Sequence, residues 1–254
     1  MASDYDGTLN RGGISQRDRE AVAAFRAAGN LFGIVTGRDY WMYETVCHEQ
    51  FGIDFILALN GAMLIATDGP RAGEILRYER QKNDGCMRWI AEHVGVRYGY
   101  EVSTVLRRER VTFHAGHPEG DDRYAPLSRA DEVKEFTQMN TRCATEEDAR
   151  RCVEEINARW GQTVNALQNG VCIDIPPAGI DKGEGVAMLA RDAGVPPENV
   201  YCAGDNMNDL SMIARFHGMA VENAVPEIKS AAEHTLPGIA EMTEYIMLHG
   251  EENK

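Results

Sequence analysis

Asp4 and Asp6 stand two residues apart, immediately before Gly7-Thr8. In an extended strand, residues two apart share a face, so both carboxylates point one way only if the strand runs through Asp6. Gly7 favours a turn there. The strand then ends at Asp6, and both carboxylates gather at a strand's C-terminal edge, where open α/β sheets bind ligands. Two carboxylates in so small a volume call for a cation. A solvated Asp-containing turn reads the same way in isolation, since Asp and Gly are ordinary turn formers.

The elements around this stretch settle what kind of sheet could position it. Ser15 with Asp18 forms a helix start, Val22 and Phe25 give that helix an apolar stripe, and Gly29 closes it. Leu31 to Val35 is a short apolar run ending in Thr36-Gly37-Arg38, and a helix is expected from about Asp39 to Gln50. Phe55 to Leu59 is a third buried run, ending in the turn signal Asn60-Gly61. Strand, helix, strand, helix, strand is the pattern of a parallel sheet. Further on, Asp181-Lys182-Gly183 leads into a helix with Val186 and Leu189 on one face. Val200 to Ala203 then forms a strand ending in Gly204-Asp205-Asn206-Met207-Asn208-Asp209. Met219 to Val221 is one more strand candidate, and a polar tail runs from His249.

Between about residues 81 and 178 the pattern changes to two helix-plus-strand-pair units. Ile90, Ala91 and Val94 mark the first helix. Thr145 with Asp148 caps the second, whose stripe is Ala149, Cys152, Val153, Ile156 and Trp160. The strand candidates are Tyr98 to Val102, Arg110 to His114, Gln162 to Leu167 and Val171 to Ile175, the last two joined at Asn169-Gly170. The expected organisation is a Rossmann-like parallel α/β core, residues 1–80 and 179–254, carrying an inserted α+β domain, residues 81–178.

Composition narrows the partners. A net charge of −14 disfavours nucleic acid and anionic membrane surfaces. No run of 18 apolar residues and no basic-then-apolar leader is present, so a cytoplasmic location is expected. The six cysteines form no Cys-x-x-Cys pair and read as reduced packing residues.

In order and spacing, Asp4-Tyr-Asp-Gly-Thr, Thr36-Gly-Arg, Lys182 and Gly204-Asp-Asn-Met-Asn-Asp resemble the four signature motifs of the haloacid dehalogenase superfamily of phosphatases. The insertion is similar to the type IIB cap of its Cof-like sugar phosphatases, and Asn60-Gly61-Ala62 stands where that branch often carries it. The resemblance implies a phosphomonoesterase for a small phosphorylated metabolite, a sugar phosphate, working through an aspartyl phosphate on Asp4 with Mg²⁺ as cofactor. It makes Asp6 the general acid and base, Thr36 a donor to the phosphoryl group and Lys182 its electrostatic partner. Asp4, the backbone carbonyl of Asp6 and Asp205 would bind the metal. Asp209 and Asn208 would support the site from behind, and Gly37, Arg38 and Asn60 would line the phosphate or substrate. Thr8 is a site hydroxyl or only a turn residue.

Strand alternation in the inserted domain places Val111, Phe113, Ile173 and Ile175 toward the helices, leaving Arg110, Thr112, His114 and Asp174 on the opposite face. In the caps that it resembles this face closes over the site, and the resemblance makes these four candidate contacts to the leaving group. Only Met1, Ala2 and Ser3 precede Asp4, so the first strand is expected to be unusually short. Two alternatives share the same residues: a phosphomutase using the same aspartyl phosphate, and a catalytically idle phosphosugar sensor.

Overall fold

The structure, a computed structural model, describes residues 1–95, 102–106, 108–113, 125 and 127–250. It divides into two compact units, Met1–Leu76 with Asp181–Lys254, and Arg77–Ile180.

The larger unit begins with β1 (Ala2–Ser3), only two residues long, and α1 (Gln16–Ala27). Ser15 caps α1 by accepting the Asp18 N–H at 3.0 Å, while buried Asp18 also accepts the backbone N–H of Ala240 at 2.9 Å. One carboxylate therefore joins the starts of two helices. Next come β2 (Gly33–Val35), α2 (Trp41–His48), β3 (Phe55–Ala58), β4 (Met63–Ala66) and β5 (Ile75–Tyr78). Helix α2 stops short of the expected Gln50, which has a left-handed φ of 51°.

The smaller unit contains β6 (Gln81–Lys82), α3 (Cys86–Ile90), β7 (Val102–Leu106), β8 (Glu109–Phe113), β9 (Glu135–Phe136), β10 (Gln138–Arg142), α4 (Glu146–Trp160), β11 (Leu167–Asn169) and β12 (Cys172–Ile175). Its five-stranded sheet has the order β11-β12-β10-β7-β8, and its apolar cluster includes Phe113, Met139, Ile173, Ile175, Cys152 and Ile156.

The chain returns to the larger unit with α5 (Lys182–Asp192), β13 (Tyr201–Gly204), α6 (Leu210–Arg215), β14 (His217–Val221), α7 (Pro226–Ala231), β15 (His234–Leu236) and α8 (Ile239–His249). The eight-stranded sheet has the order β15-β14-β13-β1-β2-β3-β4-β5. Its strands from β15 to β3 are parallel, and β4 returns antiparallel to β3. This is the expected α/β class with an inserted α+β region. Among the described residues no helix is long and apolar enough to cross a membrane.

Several local expectations need correction. The strand expected at Tyr98 to Val102 lies almost wholly outside the described residues, and the observed strand runs from Val102. Gln162 to Leu167 is not a strand: Val164 makes one isolated bridge to Pro177, and pairing starts only at Leu167. β10 and β4, both missed by periodicity, are paired strands; β10 reads as polar because it mixes Gln138, Asn140 and Arg142 with Met139.

Topology explains where function must sit. From central β1 the chain proceeds to β2 and β3 on one side, then returns through β13 on the other. The strand order reverses at β1, and ligands bind such sheets beyond the strand C-termini at that switch point. One close approach fixes the entry to α5: a Cβ on Gly185 would lie 2.5 Å from the Cα of Gly61, which has a φ of 92°. Neither backbone can yield cheaply. Gly185→Ala is therefore expected to cost about 1–3 kcal/mol of stability, read as a lower urea midpoint; an unchanged midpoint would contradict this packing.

Candidate active site

The parallel strands near the switch point hand over to polar residues, directly or within two positions. β1 is followed by Asp4, β2 by Thr36, β13 by Asp205 and β3 by the Leu59-Asn60 turn. The short β1 is anchored on both sides, pairing with β2 and β13, and the Asp4 N–H donates to the Ala203 carbonyl at 2.9 Å.

Lys182 is the first residue of α5 and is fully buried. A cation at a helix N-terminus faces the positive end of the helix dipole, so other charges must hold it there. Its Nζ donates to Asp4 Oδ1 at 2.6 Å and to Asp209 Oδ1 at 2.5 Å. Asp181, just before it, caps the helix by accepting the Glu184 N–H at 2.8 Å. Asp209 is fully committed, because its second oxygen accepts the backbone N–H groups of Asp205 and Asn206 at 2.9 and 3.0 Å. Thr8 donates to Asp205 Oδ1 at 2.7 Å, which makes it part of this site. Gly7, with a φ of 86°, leaves room for Asp205: a Cβ there would lie 2.5 Å from Asp205 Oδ2. Asn223, missed in the sequence, donates to the Gly7 carbonyl at 2.8 Å and braces the same loop.

Asp4, Asp205 and Asp209 each offer a carboxylate oxygen within 4.8 Å of the others. Three carboxylates face one ammonium, leaving two negative charges in a largely buried site. Burial pushes the Asp4 pKa well above its ordinary value, against the pull of Lys182, with Asp209 and Asp205 adding to the rise. Burial also raises Asp205, opposed by the Thr8 hydrogen bond. For Lys182, burial acts to lower the pKa, but Asp209 and Asp4 override it and hold the group as an ammonium. This donor set fits a hard divalent cation, which prefers oxygen ligands and would cancel the two excess charges. Asp4 and Asp205 are the carboxylates left to ligate it, since Asp209 already serves Lys182 and the backbone.

Asp6 does not join that cluster. Its side chain is 53% exposed and forms a two-pronged ion pair with Arg38, both N···O distances being 2.7 Å. Thr36 is buried, and its hydroxyl accepts the Arg38 N–H at 3.1 Å, which leaves the hydroxyl proton to be donated. Gly37 lies between them in the same turn. Asn60 is buried with a φ of 54°, and its N–H donates to the Thr36 carbonyl at 2.9 Å, tying the β2 and β3 ends together. Asn208 is buried on the turn that carries Asp209.

In the smaller unit the alternation holds only in part. Phe113, Ile173 and Ile175 are buried, but Val111 is 39% exposed, because β8 is an edge strand and Val111 lies outside the apolar cluster. Asp174 is on the opposite face but is not solvated: it is 7% exposed and accepts from Asn140 Nδ2 at 2.5 Å. Thr112 is half-buried with its hydroxyl 3.0 Å from that of Ser103. Strand register aligns Thr112, Ser103, Asn140 and Asp174 in one row across the sheet. Ser103 and Asn140 were not legible without that register. Arg110 is exposed at the sheet edge, and His114 lies outside the described residues.

Residues 1–241 match the family of haloacid dehalogenase-like hydrolases. The chain belongs to that family. It is 36% identical over 236 residues to a phosphoglycolate phosphatase of Methanoculleus marisnigri, covering 92% of this chain and 88% of that one. In fold it is similar to a subclass IIB sugar phosphatase of the superfamily, with a TM-score of 0.76, 20% identity and 98% of each chain covered. A Streptococcus mutans protein gives a TM-score of 0.78 at 17% identity, covering 97% of this chain and 98% of that one. The enzyme class is accordingly that of the haloacid dehalogenase-type phosphatases.

Two outcomes are expected from the charge count. Saturating Mg²⁺ should stabilise the chelator-treated protein, by about 2.7 kcal/mol at a hundredfold excess over Kd. Because the Asp4 and Asp205 pKa values are raised, these groups stay protonated to higher pH in the folded state. Stability from holding those protons is present at low pH and lost as pH rises through the folded values. Mg²⁺ must displace the protons at low pH, so its stabilising shift in Tm should be larger at pH 7.5 than at pH 5; an equal shift, or one that survives Asp205→Asn, would contradict the assignment. Lys182→Met should destabilise by about 3–5 kcal/mol at neutral pH by leaving Asp4 and Asp209 without their cation. Acidification should recover part of that loss in urea unfolding, and a loss independent of pH would count against it.

Proposed function

We propose that the protein is a Mg²⁺-dependent phosphomonoesterase acting on a small sugar phosphate through an aspartyl phosphate on Asp4. The observation that carries this reading is the cluster of Asp4, Asp205 and Asp209, with buried Lys182 bonded to Asp4 and Asp209. Mg²⁺, held by Asp4, Asp205 and the Asp6 carbonyl, would neutralise the phosphoryl oxygens and the carboxylate that approaches them.

In the first step an Asp4 oxygen bonds to phosphorus while the ester P–O bond breaks, and Asp6 gives its proton to the departing oxygen. In the second, Asp6 takes a proton from water as the water oxygen bonds to phosphorus. The bond from phosphorus to Asp4 breaks and inorganic phosphate leaves. Lys182 spreads its charge over Asp4 and the equatorial oxygens, and Thr36 donates its free hydroxyl proton to the phosphoryl group. Asp209 keeps Lys182 in place, with Asn208 on the same turn, and Gly37 and Asn60 shape the phosphate loop.

In the smaller unit, the row Thr112, Ser103, Asn140 and Asp174, with Arg110 on the edge strand, carries hydroxyl, amide and carboxylate groups of the kind that suit a polyol. That chemistry favours a sugar phosphate over the anionic glycolate of phosphoglycolate, the compound named for several relatives.

The test is inorganic phosphate release from a panel of hexose phosphates and phosphoglycolate, with Mg²⁺ and with chelator. Release should require Mg²⁺, fall at least about 10³-fold in Asp4→Asn, and favour a hexose phosphate in kcat/KM. Release unaffected by chelator, or isomer formation without phosphate, would overturn the phosphatase reading.

A further inference from the structure

The Asp6–Arg38 pair is a two-pronged exposed contact, and its surroundings show that it is built. Arg38 is held at both ends of its backbone: its N–H donates to Thr36 Oγ1 at 3.1 Å, and its carbonyl accepts the Leu59 N–H at 2.8 Å. Its guanidinium lies over the ring of Tyr5, 5.2 Å from the centroid. Tyr5 is buried at 1% exposure, and its hydroxyl donates to Glu49 at 2.9 Å, so the ring is a fixed platform. The backbone under Asp6 is pinned as well, since Gly7 N–H donates to the Asn10 carbonyl and Asn10 N–H to the Tyr5 carbonyl. What the backbone leaves open is the Asp6 side chain, half-exposed and otherwise free to rotate among staggered rotamers. Arg38 removes that freedom by engaging both carboxylate oxygens in one plane.

We infer that Arg38 is a positioning residue for Asp6: with Tyr5 as its backing, it aims the Asp6 carboxyl at the oxygen that leaves or enters, rather than binding the substrate itself. This rests on the phosphomonoesterase reading, in which Asp6 moves a proton to the leaving oxygen as the ester bond breaks. The middle residue of Asp4-Tyr5-Asp6 then has a role of its own, and the two carboxylates of that stretch have separate cations, Lys182 for Asp4 and Arg38 for Asp6.

A residue that works through a proton donor matters most when the departing group needs that proton. The experiment compares kcat/KM, with Mg²⁺, for phenyl phosphate and 4-nitrophenyl phosphate, whose leaving phenolate is far better stabilised. Arg38→Ala should lose at least about tenfold more on phenyl phosphate than on 4-nitrophenyl phosphate, within the 10²–10⁴-fold range of general acid catalysis. Asp6→Asn should show the same bias, and the double variant should lose little beyond Asp6→Asn. Arg38→Lys, which keeps the charge but not the planar fork, should recover only part of the loss. Equal losses on both esters, or multiplied losses in the double variant, would overturn the inference. A crystal structure of Arg38→Ala decides independently of turnover. The Asp6 carboxyl should leave its present position, and finding it unmoved would overturn the inference. Absence of phosphate release from the wild-type protein would instead fail the phosphatase reading.

Discussion

Buried Lys182, bonded to both Asp4 and Asp209, is the interaction on which the site depends. Desolvating an ammonium is costly unless its charge is met at close range, and here two carboxylates meet it. The three groups come from the start of α5, the end of β1 and the turn after β13, so the ion network clamps together the sheet's switch point. It also over-pays in charge: with Asp205 alongside, the carboxylates exceed the ammonium by two. That excess, carried on oxygen donors, fits a divalent cation.

The backbone carries this arrangement with few residues to spare. β1 has two residues, yet it is flanked on both sides by parallel partners, and the Asp4 amide is bonded to β13. Glycine at 7 admits the Asp205 carboxylate, and glycine at 185 lets α5 approach the Asn60-Gly61 turn. These positions act on the chemistry only by letting side chains and backbones come close. The two-cation pattern follows from the same compactness: Asp4 faces inward to Lys182, and Asp6, past the end of the strand, faces Arg38.

Much of this was legible in the amino-acid order because a parallel sheet places its strand ends on one side. Once Asp4, Thr36 and Asp205 follow apolar runs and Lys182 opens a helix, topology brings them to one edge. Side-chain partnerships across that edge were not legible. The Asp6–Arg38 pair joins residues 32 apart through loop geometry that no periodicity encodes. In the smaller unit, alternation gave Phe113, Ile173 and Ile175 correctly but misjudged Val111, because a two-residue period says nothing about how far the packed helices extend over an edge strand. It also gave the face of Asp174 without its partner: Asn140 sits on β10, whose mixed residues concealed it as a strand.

In the proposed mechanism this charge arrangement makes Asp4 a nucleophile toward phosphorus. The most direct measurement is rapid acid quenching of the wild-type protein during turnover of a phosphorus-labelled ester in Mg²⁺, followed by peptide mapping. The account predicts a hydroxylamine-labile phosphoryl group on the peptide containing Asp4. Steady phosphate release with no labelled protein at any quench time, or label on a different residue, would contradict it.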